Sequence, residues 1–393
     1  MCILCILWTI LRIFQEKLME HREALFILNM LPYIGPGKRR LLEDAFGSVE
    51  AAFAADRTSL CRTPGIGEKL AEILVNWRKY CNPDEESRMC REAQVTVLTD
   101  EDAAYPPLLR DIHDPPICLY ALGNLDVLKN SQMSIGIVGS RNASIYGMRM
   151  AANLATGASI AGWPVVSGLA RGIDTAAHEA TLHTGGRTVA VIGSGLLRVY
   201  PQENMALAKG IVANGGAVIT EFQMRYQPDR RSFPMRNRII SGMSKGTIVV
   251  EAGYRSGSLI TAATALEQGR TVFAVPGMAD SPCSHGCHAL IRDGAVLVET
   301  FQDVIDEFTG LPGMARPPKE NQACPPPKAD VSQMNLSGLE MQVWRLLKEG
   351  VTDVDELIDR MDNEVPCIMA AVMTLQLKRL VRQLPGRRLA PLI

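Results

Sequence analysis

The stretch Ile135-Gly-Ile-Val-Gly-Ser-Arg141 decides the fold of this chain. Its first four residues have the apolar composition of a buried strand, and a helical pattern follows its last residue. Between strand and helix, Gly139 lets the backbone approach an anion, Ser140 offers a hydroxyl group and Arg141 offers a charged guanidinium. A strand that leads through such a turn into a helix predicts a phosphate-binding α/β unit.

The same alternation of apolar runs and helical patterns continues along residues 131–309. The runs predict seven strands, at Ile135–Val138, Pro164–Val166, Thr188–Ile192, Ala217–Thr220, Thr247–Val250, Thr271–Val275 and Ala295–Val298. Helical patterns separate most of them, at Met148–Ala161, Thr175–His183, Glu203–Ala213 and Leu259–Gln268. This order predicts an α/β fold with a parallel sheet covered by helices on both faces.

Three further apolar runs end in glycine turns of the same kind. They are followed by Ser167-Gly168-Leu-Ala-Arg171-Gly172, Gly193-Ser-Gly195 and Ser256-Gly257-Ser258. Because the carboxyl ends of parallel strands meet at one edge of a sheet, we expect these turns to form one shared anion-binding site.

The segment Arg225–Arg238 is strongly basic. It holds five arginines against one acid, Asp229, and its arginines are interleaved with Tyr226, Phe233 and Asn237. Arginine binds phosphate through two parallel hydrogen bonds, and aromatic rings stack on unpaired bases. The segment therefore favours polyanion binding over a merely solvated basic loop.

Residues 20–80 have a helical pattern with two related turns, Gly35-Pro-Gly-Lys38 and Gly65-Ile-Gly-Glu-Lys69. Both are typical of a helix-hairpin-helix (SAM-like) domain, whose turn exposes backbone N–H groups to a DNA phosphate. A compact helical module that makes protein contacts explains the same turns equally well.

The end of the chain is predicted to form a separate domain. Residues 311–335 contain Pro317-Pro318 and Pro325-Pro326-Pro327 among polar residues and indicate a linker. Residues 336–393 show three helical patterns and a hairpin pattern near Val381–Arg388, which suggests a winged-helix domain.

Bulk composition limits the class of protein. The chain has 393 residues and a formal net charge of −1, so any nucleic-acid binding must come from a local basic patch. Its ten cysteines are scattered without a regular disulfide pattern, which indicates a reducing, cytoplasmic setting. The apolar run Met1–Ile10 is too short to cross a bilayer, and translation from Met19 is the preferred interpretation over a membrane anchor.

Several titratable residues invite an enzymatic interpretation that the sequence disfavours. Asp174 and His178 have ordinary i,i+4 spacing without a Gly-x-Ser-x-Gly elbow, so we expect Asp174 only to cap the next helix. Glu251 ends a strand, either as a general base or as a residue that orients Arg255 and its loop. The segment Cys283–His288 is too compact for structural zinc, and no Walker A sequence is present. We therefore expect no metal, no cofactor and no ATP hydrolysis.

A set of motifs spread over residues 100–300 resembles the DNA-processing protein A (Smf) family. The motifs are Gly139-Ser-Arg, Ser167-Gly-Leu-Ala-Arg-Gly-Ile-Asp174, Tyr200-Pro-Gln-Glu-Asn204, Phe233-Pro-Met-Arg-Asn-Arg-Ile-Ile240, Val249-Val-Glu-Ala252, Arg255-Ser-Gly-Ser-Leu-Ile-Thr-Ala262, Ala274-Val-Pro-Gly277 and Leu290-Ile-Arg-Asp-Gly-Ala295. The resemblance implies an extended Rossmann-like domain over residues 100–309.

The resemblance also implies a function. It implies a homodimer, not an enzyme, that binds and protects single-stranded DNA without sequence preference and loads the RecA recombinase onto incoming strands in natural transformation. The family's strand-binding positions correspond here to Gly139, Ser140, Arg141, Ser167, Gly168, Arg171, Phe233, Arg236, Asn237 and Arg238. The residue chemistry adds Gly172, Ser256, Gly257 and Ser258 to this set. The chain departs from the family pattern at Gln202, where a lysine is frequent, and at His288, where asparagine is usual.

Two other functions remain open at this level. The first is a nucleoside-monophosphate phosphoribohydrolase of the same fold superfamily, with Glu251 and Arg238 cleaving an N-glycosidic bond, although the Pro-Gly-Gly-x-Gly-Thr loop of those enzymes is missing. The second is a regulator that binds duplex DNA through the C-terminal helices, which carry few basic residues.

Overall fold

The computed structural model describes residues 19–309, 337–348, 354–361, 365–378, 380–384 and 388–391. The chain divides into two compact units, residues 1–310 and 311–393. Residues 1–18 and the predicted linker at 311–335 lie outside the described residues.

The first unit begins with a module of helices that pack around a shared apolar core. The helices are α1 (His21–Met30), α2 (Pro36–Phe46), α3 (Val49–Ala54), α4 (Arg57–Arg62), α5 (Glu68–Val75) and α6 (Pro83–Glu92). Gly35 and Gly67 each stand immediately before a helix, α2 and α5, as the two glycine turns predict. The Lys38 ammonium group donates to the Gly65 carbonyl over 2.6 Å, so this cation joins one turn to the other.

A nine-stranded sheet forms the centre of the first unit. Its strands are β1 (Thr96–Leu98), β2 (Leu119–Gly123), β3 (Ile135–Gly139), β4 (Val165–Ser167), β5 (Thr188–Val191), β6 (Ala217–Thr220), β7 (Gly246–Val250), β8 (Thr271–Ala274) and β9 (Val296–Leu297). The spatial order is β1-β2-β6-β5-β4-β3-β7-β8-β9. The seven strands from β3 to β9 pair in parallel, which confirms the predicted sheet. Strands β1 and β2 extend it by antiparallel pairing.

Helices cover both faces of this sheet. They are α7 (Pro107–Arg110), α8 (Leu125–Lys129), α9 (Ile145–Ile160), α10 (Ile173–His183), α11 (Met205–Ala213), α12 (Ser232–Met243), α13 (Gly257–Glu267), α14 (His285–Arg292) and α15 (Phe301–Thr309). Short 3-10 turns lie at Trp77–Lys79, Ser131–Met133, Leu196–Arg198 and Gln202–Asn204. Two apolar clusters lie on opposite sides of the strands, since neighbours such as Ile137 and Val138 belong to different clusters.

The helical module is joined to the sheet by hydrogen bonds at the segment that follows β6. The Glu86 carboxylate on α6 accepts from the Met224 backbone N–H over 2.7 Å. The Asn29 side chain donates to the Glu221 carbonyl over 3.1 Å, and Gln223 donates to the Met30 carbonyl over 2.8 Å. These contacts fix the start of the basic segment that the sequence singled out.

Strand β1 is the outer strand on this side of the sheet. The Arg22 guanidinium donates to the backbone carbonyl of Val97, the central residue of β1, and also to the Asp102 carboxylate at 2.6 Å. A side chain of the helical module therefore occupies a backbone acceptor of the edge strand.

The second unit contains α16 (Gly338–Lys348), α17 (Val354–Asp359), α18 (Val365–Leu377) and an antiparallel hairpin of β10 (Val381–Leu384) and β11 (Arg388–Pro391). Its core includes Trp344, Ile368 and Leu389. Three helices followed by a hairpin confirm the predicted winged helix. Helix α18 has no charged residue and exposes Met369 and Met373, so it offers no cation to a phosphate.

Candidate nucleic-acid interface

A cleft of about 760 Å³ lies at the carboxyl ends of β3 and β7. The chain leaves β3 towards β4 on one side and later returns to β7 on the other, so the strand order reverses between these two strands. Such a reversal is where open α/β sheets bind ligands. The turn Gly139–Asn142 and the turn Gly253–Ser258 line the cleft, together with side chains of α12.

Two predicted glycines are required by close backbone packing. A Cβ at Gly139 would collide with the Val250 carbonyl of β7 and with the Ile173 side chain. Gly172 has φ +74°, and a Cβ there would collide with the Ser140 carbonyl. The glycines hold the turn after β3 against the start of α10, and so they shape the cleft from beneath.

Arg236 projects from α12 into the cleft and is almost completely buried. Its Nε and Nη1 atoms have no hydrogen-bond partner. Gly168 makes room for it, since a Cβ at Gly168 would overlap the Arg236 guanidinium. Burial lowers the pKa of Arg236 to about 10, with Asp174 opposing this effect and Arg141 adding to it. The guanidinium remains charged at neutral pH and has unused donors.

The sequence prediction that Asp174 caps α10 is wrong. Asp174 lies inside α10, which begins after Gly172. Its carboxylate accepts from the backbone N–H groups of Gly168 and Ala170, at 3.0 and 3.2 Å. Burial raises the pKa of Asp174, while the nearby charge of Arg236 acts in the opposite direction. The residue therefore fixes the turn that follows β4 and faces Arg236.

Phe233 and Arg141 form one wall of the cleft. The Arg141 guanidinium lies 5.1 Å from the centre of the Phe233 ring, a cation–π distance, and the Tyr200 ring lies 5.8 Å from Phe233. Both Phe233 and Arg141 are partly accessible, so the pair presents a ring face beside a positive charge.

The predicted turn Ser256-Gly257-Ser258 opens helix α13, as expected. Ser256 is its N-cap, and the Ser256 and Ser258 hydroxyl oxygens are 2.7 Å apart. All three residues line the cleft, so the backbone N–H groups of the first helical turn border it. Ser140 lies opposite and accepts from the Asn142 N–H over 3.2 Å.

Two residues that were predicted to bind DNA, Ser167 and Arg238, have side chains that bind other groups of the protein instead. The Ser167 hydroxyl is fully buried and donates to the Ile137 carbonyl over 2.6 Å. Arg238 pairs in a fork with the buried Glu221, at 3.0 and 2.7 Å, and also donates to Asp114 over 2.9 Å. Asn237, by contrast, lines the cleft beside Arg236.

The second half of the basic segment Arg225–Arg238 is not a solvated loop, the alternative that the sequence disfavours. Helix α12 begins at Ser232 and turns Arg236 and Arg238 inward. Tyr226 stacks on Phe222, with ring centres 4.4 Å apart, and its hydroxyl group donates to Asp229. Phe233 is therefore the aromatic residue of this segment that reaches the cleft.

Arg171 lies in a smaller side cleft of about 200 Å³, which shares Arg141, Phe233 and Arg236 with the main one. Its guanidinium pairs with the Glu203 carboxylate, and both side chains are largely exposed. A ligand phosphate at Arg171 must therefore compete with Glu203.

The residues considered for catalysis have structural partners. The Glu251 carboxylate accepts from the backbone N–H of Ser144 over 2.8 Å and from its hydroxyl group, which fixes the start of α9. The His178 ring is buried and shares a hydrogen bond with Thr188 over 2.7 Å; burial lowers its pKa to about 3. Glu251 therefore orients a helix, which is closer to the second of its two sequence interpretations.

Among the cleft-lining residues that sequence reasoning did not assign to the site are Asn142, Arg230 and Arg255. Arg230 belongs to the basic segment and Arg255 to a glycine turn, so both carried a usable signal. The cleft is lined by four arginines, at 141, 230, 236 and 255, against one carboxylate, Asp174.

Within the described part of the chain, no helix is long and apolar enough to cross a lipid bilayer.

Three family models match consecutive parts of the chain. A model described as DNA recombination-mediator protein A matches residues 96–309. A SAM-like helix-hairpin-helix tandem model matches residues 27–76, and a DprA winged helix domain model matches residues 325–387.

Curated relatives extend over most of the chain. Protein Smf of Escherichia coli (strain K12) is 38% identical over 304 residues, which cover 77% of this chain and 79% of that protein. DNA processing protein DprA of Streptococcus pneumoniae (strain ATCC BAA-255 / R6) is 47% identical over 207 residues, which cover 53% of this chain and 72% of that protein.

Solved structures agree in fold. The X-ray structure of DNA processing protein A from Streptococcus pneumoniae has a TM-score of 0.62 at 35% identity, covering 73% of this chain and 98% of that one. A structure of DNA processing protein A from Helicobacter pylori, described by its single-stranded DNA binding mode, has a TM-score of 0.50 at 27% identity. It covers 55% of this chain and 96% of that one.

Proposed function

The chain belongs to the DNA recombination-mediator protein A family, and on that premise we propose that it binds single-stranded DNA in the cleft between β3 and β7. We propose further that the bound strand is protected and passed to the RecA recombinase during natural transformation, as the motif resemblance implies. The Helicobacter pylori protein has a single-stranded DNA binding mode of its own, which supports the same ligand here.

The buried, unpartnered guanidinium of Arg236 is the observation that carries this proposal. A buried charged donor without an acceptor is costly unless a ligand supplies one. The lining of four arginines and one carboxylate gives the cleft an excess of positive charge, and α13 adds the partial charge of its N-terminus. The Nε and Nη1 atoms are themselves shielded from solvent, so a phosphate or a base carbonyl in the cleft is attracted by the charge of the Arg236 guanidinium as a whole.

Phe233 gives the reason for a preference for unpaired strands. Its ring is partly exposed at the cleft and lies under the Arg141 guanidinium. A base can stack on such a ring only when it is not already stacked inside a duplex, and every base has a stacking face. The wall therefore favours single strands with little dependence on sequence.

We also propose a homodimer. Leu266 of α13 and Leu297 of the two-residue edge strand β9 are large apolar residues with accessible surface. An open sheet edge that carries an exposed apolar side chain is a suitable surface for a second copy. Mass measurement by light scattering should give a dimer, and Leu266→Lys with Leu297→Lys should shift it towards the monomer.

We propose that the site binds DNA without catalytic turnover. The Glu251 carboxylate, the candidate base of a phosphoribohydrolase, is engaged by the Ser144 N–H and hydroxyl groups, and Arg238 is engaged by Glu221. We propose a cytoplasmic location, where incoming strands meet RecA; the seven cysteines within the described residues are unpaired.

The test is a fluorescence anisotropy titration of the full chain with a labelled oligo-dT, with its duplex and with nucleoside monophosphates. Oligo-dT should bind more tightly than duplex, and Arg141→Ala and Arg236→Ala should each weaken it by about 1–3 kcal/mol. Arg187→Ala is the matched control, because Arg187 is exposed just before β5, at the opposite edge of the sheet. Absence of oligo-dT binding in dilute buffer, together with release of free base from monophosphates, would establish the enzyme instead.

A further inference from the structure

An exposed aromatic pair lies at the rim of the cleft, apart from Phe233. The ring centres of Tyr254 and His285 are 5.1 Å apart, and Tyr254 is 71% exposed. Tyr254 stands between Gly253 and Arg255, which both line the cleft, and His285 follows the lining residue Cys283 by two positions. The functions described so far use neither ring.

The two loops that carry this pair are tied together. The Gly286 N–H donates to the Ala252 carbonyl over 2.7 Å, and a Cβ at Gly286 would lie only 2.6 Å from that oxygen. The Ser256 N–H donates to the Gly253 carbonyl over 3.0 Å, which closes a turn with Tyr254 and Arg255 at its tip. Tyr254 is thus presented on a fixed turn and leans on His285.

The position of the pair suits a base of a bound strand. Tyr254 lies three residues before Gly257, where the N-terminus of α13 offers backbone N–H groups to a phosphate. In a single strand, each base is attached one sugar away from its phosphate. A phosphate bound at this helix start therefore brings a base to the Tyr254 ring.

The pair and Phe233 lie on opposite sides of the cleft. Phe233 lies against Gly193, which follows β5, whereas Tyr254 follows β7, and β4 and β3 lie between them. Three strand spacings amount to roughly 14 Å, which is more than one base can bridge. Arg141 and Arg236 lie in the cleft between these two positions.

We propose that Tyr254, supported by His285, is a second nucleobase-stacking platform, so that the strand crosses the cleft from Phe233 to Tyr254 with its phosphates on the arginines. This inference rests on the proposed single-stranded DNA binding. Its ligand is any unpaired nucleobase, because stacking on an aromatic ring tolerates all four bases.

The test places one 2-aminopurine, whose fluorescence falls on stacking, at successive positions of an oligo-dT bound to the full chain. Two separated positions should be quenched in the wild type. Tyr254→Leu should abolish one of them and weaken binding about fivefold or more, whereas Tyr254→Phe should preserve both. Phe233→Leu should abolish the other position. Tyr80→Leu, at an exposed tyrosine of the helical module, is the matched control.

The outcomes separate the two proposals. Normal oligo-dT binding by Tyr254→Leu, with an unchanged quenching profile, overturns the second platform and leaves the proposed function intact. Absence of binding by the wild type itself overturns both.

Discussion

Arg236 and Arg238 stand two positions apart on α12 and have opposite roles. Two positions on a helix correspond to about 200° of rotation, so the side chains leave the helix in different directions. Arg236 enters the cleft with unused donors, whereas Arg238 meets Glu221 and Asp114 and connects α12 to the segments after β6 and before β2. Sequence similarity to strand-binding positions does not separate these two roles; the hydrogen-bond partners of each guanidinium do.

Arg238→Ala should therefore act on stability. It leaves the buried Glu221 carboxylate without its partner, and the loss of one member of a buried ion pair costs about 3–5 kcal/mol. Urea denaturation should show this loss in the free energy of unfolding. The double variant Arg238→Met/Glu221→Met should lose less, because no buried charge remains. A variant of wild-type stability with lost oligo-dT binding would instead return Arg238 to the binding site.

Glu203→Gln should tighten the binding of single-stranded DNA. Glu203 holds the exposed Arg171 guanidinium, and an uncharged amide releases it to a phosphate. The affinity for single-stranded DNA should rise about two- to fivefold, since exposed ion pairs are weak. Anisotropy with labelled oligo-dT measures it, and Arg171→Ala/Glu203→Gln should show no gain. Unchanged affinity of the single variant would show that Arg171 does not contact the strand.

The sequence predicts the backbone of the site better than its side chains. Gly139, Gly172 and the Ser256–Ser258 turn were recognisable because a glycine or a helix cap leaves a local signature. The environment of Arg238 was not recognisable from the sequence, because its partners Glu221 and Asp114 stand 17 and 124 residues away along the chain.

At the scale of elements, the glycines inside helices differ in what surrounds them. A Cβ at Gly147 in α9 would collide with the Glu251 side chain, whereas the nearest atom to a Cβ at Gly210 in α11 is a Leu182 methyl at 3.7 Å. The first glycine lets α9 approach the strand end of β7. The second is only a helix residue with excess backbone freedom.

The same exchange should therefore have opposite effects at the two positions. Gly147→Ala should lower the free energy of unfolding by about 1–3 kcal/mol through overpacking against Glu251. Gly210→Ala should raise it by about 0.5–1 kcal/mol, because alanine reduces the freedom of the unfolded chain. Thermal denaturation of the two variants provides the comparison. Equal effects of the two substitutions on the free energy of unfolding would mean that the Glu251 side chain moves aside without loss of stability.

The parallel strands and their crossover helices were predictable from continuous apolar runs, but two kinds of element were not. Strands β1 and β2 have three and five residues among prolines and pair antiparallel at the edge, so their stability comes from tertiary pairing. Helix α12 carries Pro234 in its first turn and two arginines on buried faces, which is the composition of a loop. Proline is tolerated there because the first helical N–H groups need no intrahelical acceptor.

At the scale of the whole molecule, the charge is nearly balanced while the cleft is not. A net charge of −1 provides no general attraction to a polyanion, so the four arginines of the cleft must account for the electrostatic part of binding. The binding should therefore be salt-sensitive in proportion to a small number of phosphate contacts.

A plot of log K against log salt concentration should have a slope of roughly −3 for oligo-dT, about −0.7 for each of the contacts. Arg255→Ala should reduce the steepness by about 0.7, because one released counterion is lost. Phe233→Leu should weaken binding without changing the slope, since stacking releases no counterion. A slope that is the same in all three proteins would place the phosphates elsewhere.

The contact of Arg22 with the Val97 carbonyl has a consequence for assembly. An outer strand normally offers its free amides and carbonyls as a template on which another chain can polymerise. Here a guanidinium from the helical module blocks the middle of that template, with Asp102 holding it in place. Continuation of the sheet from one molecule into the next is therefore disfavoured at the centre of the β1 margin.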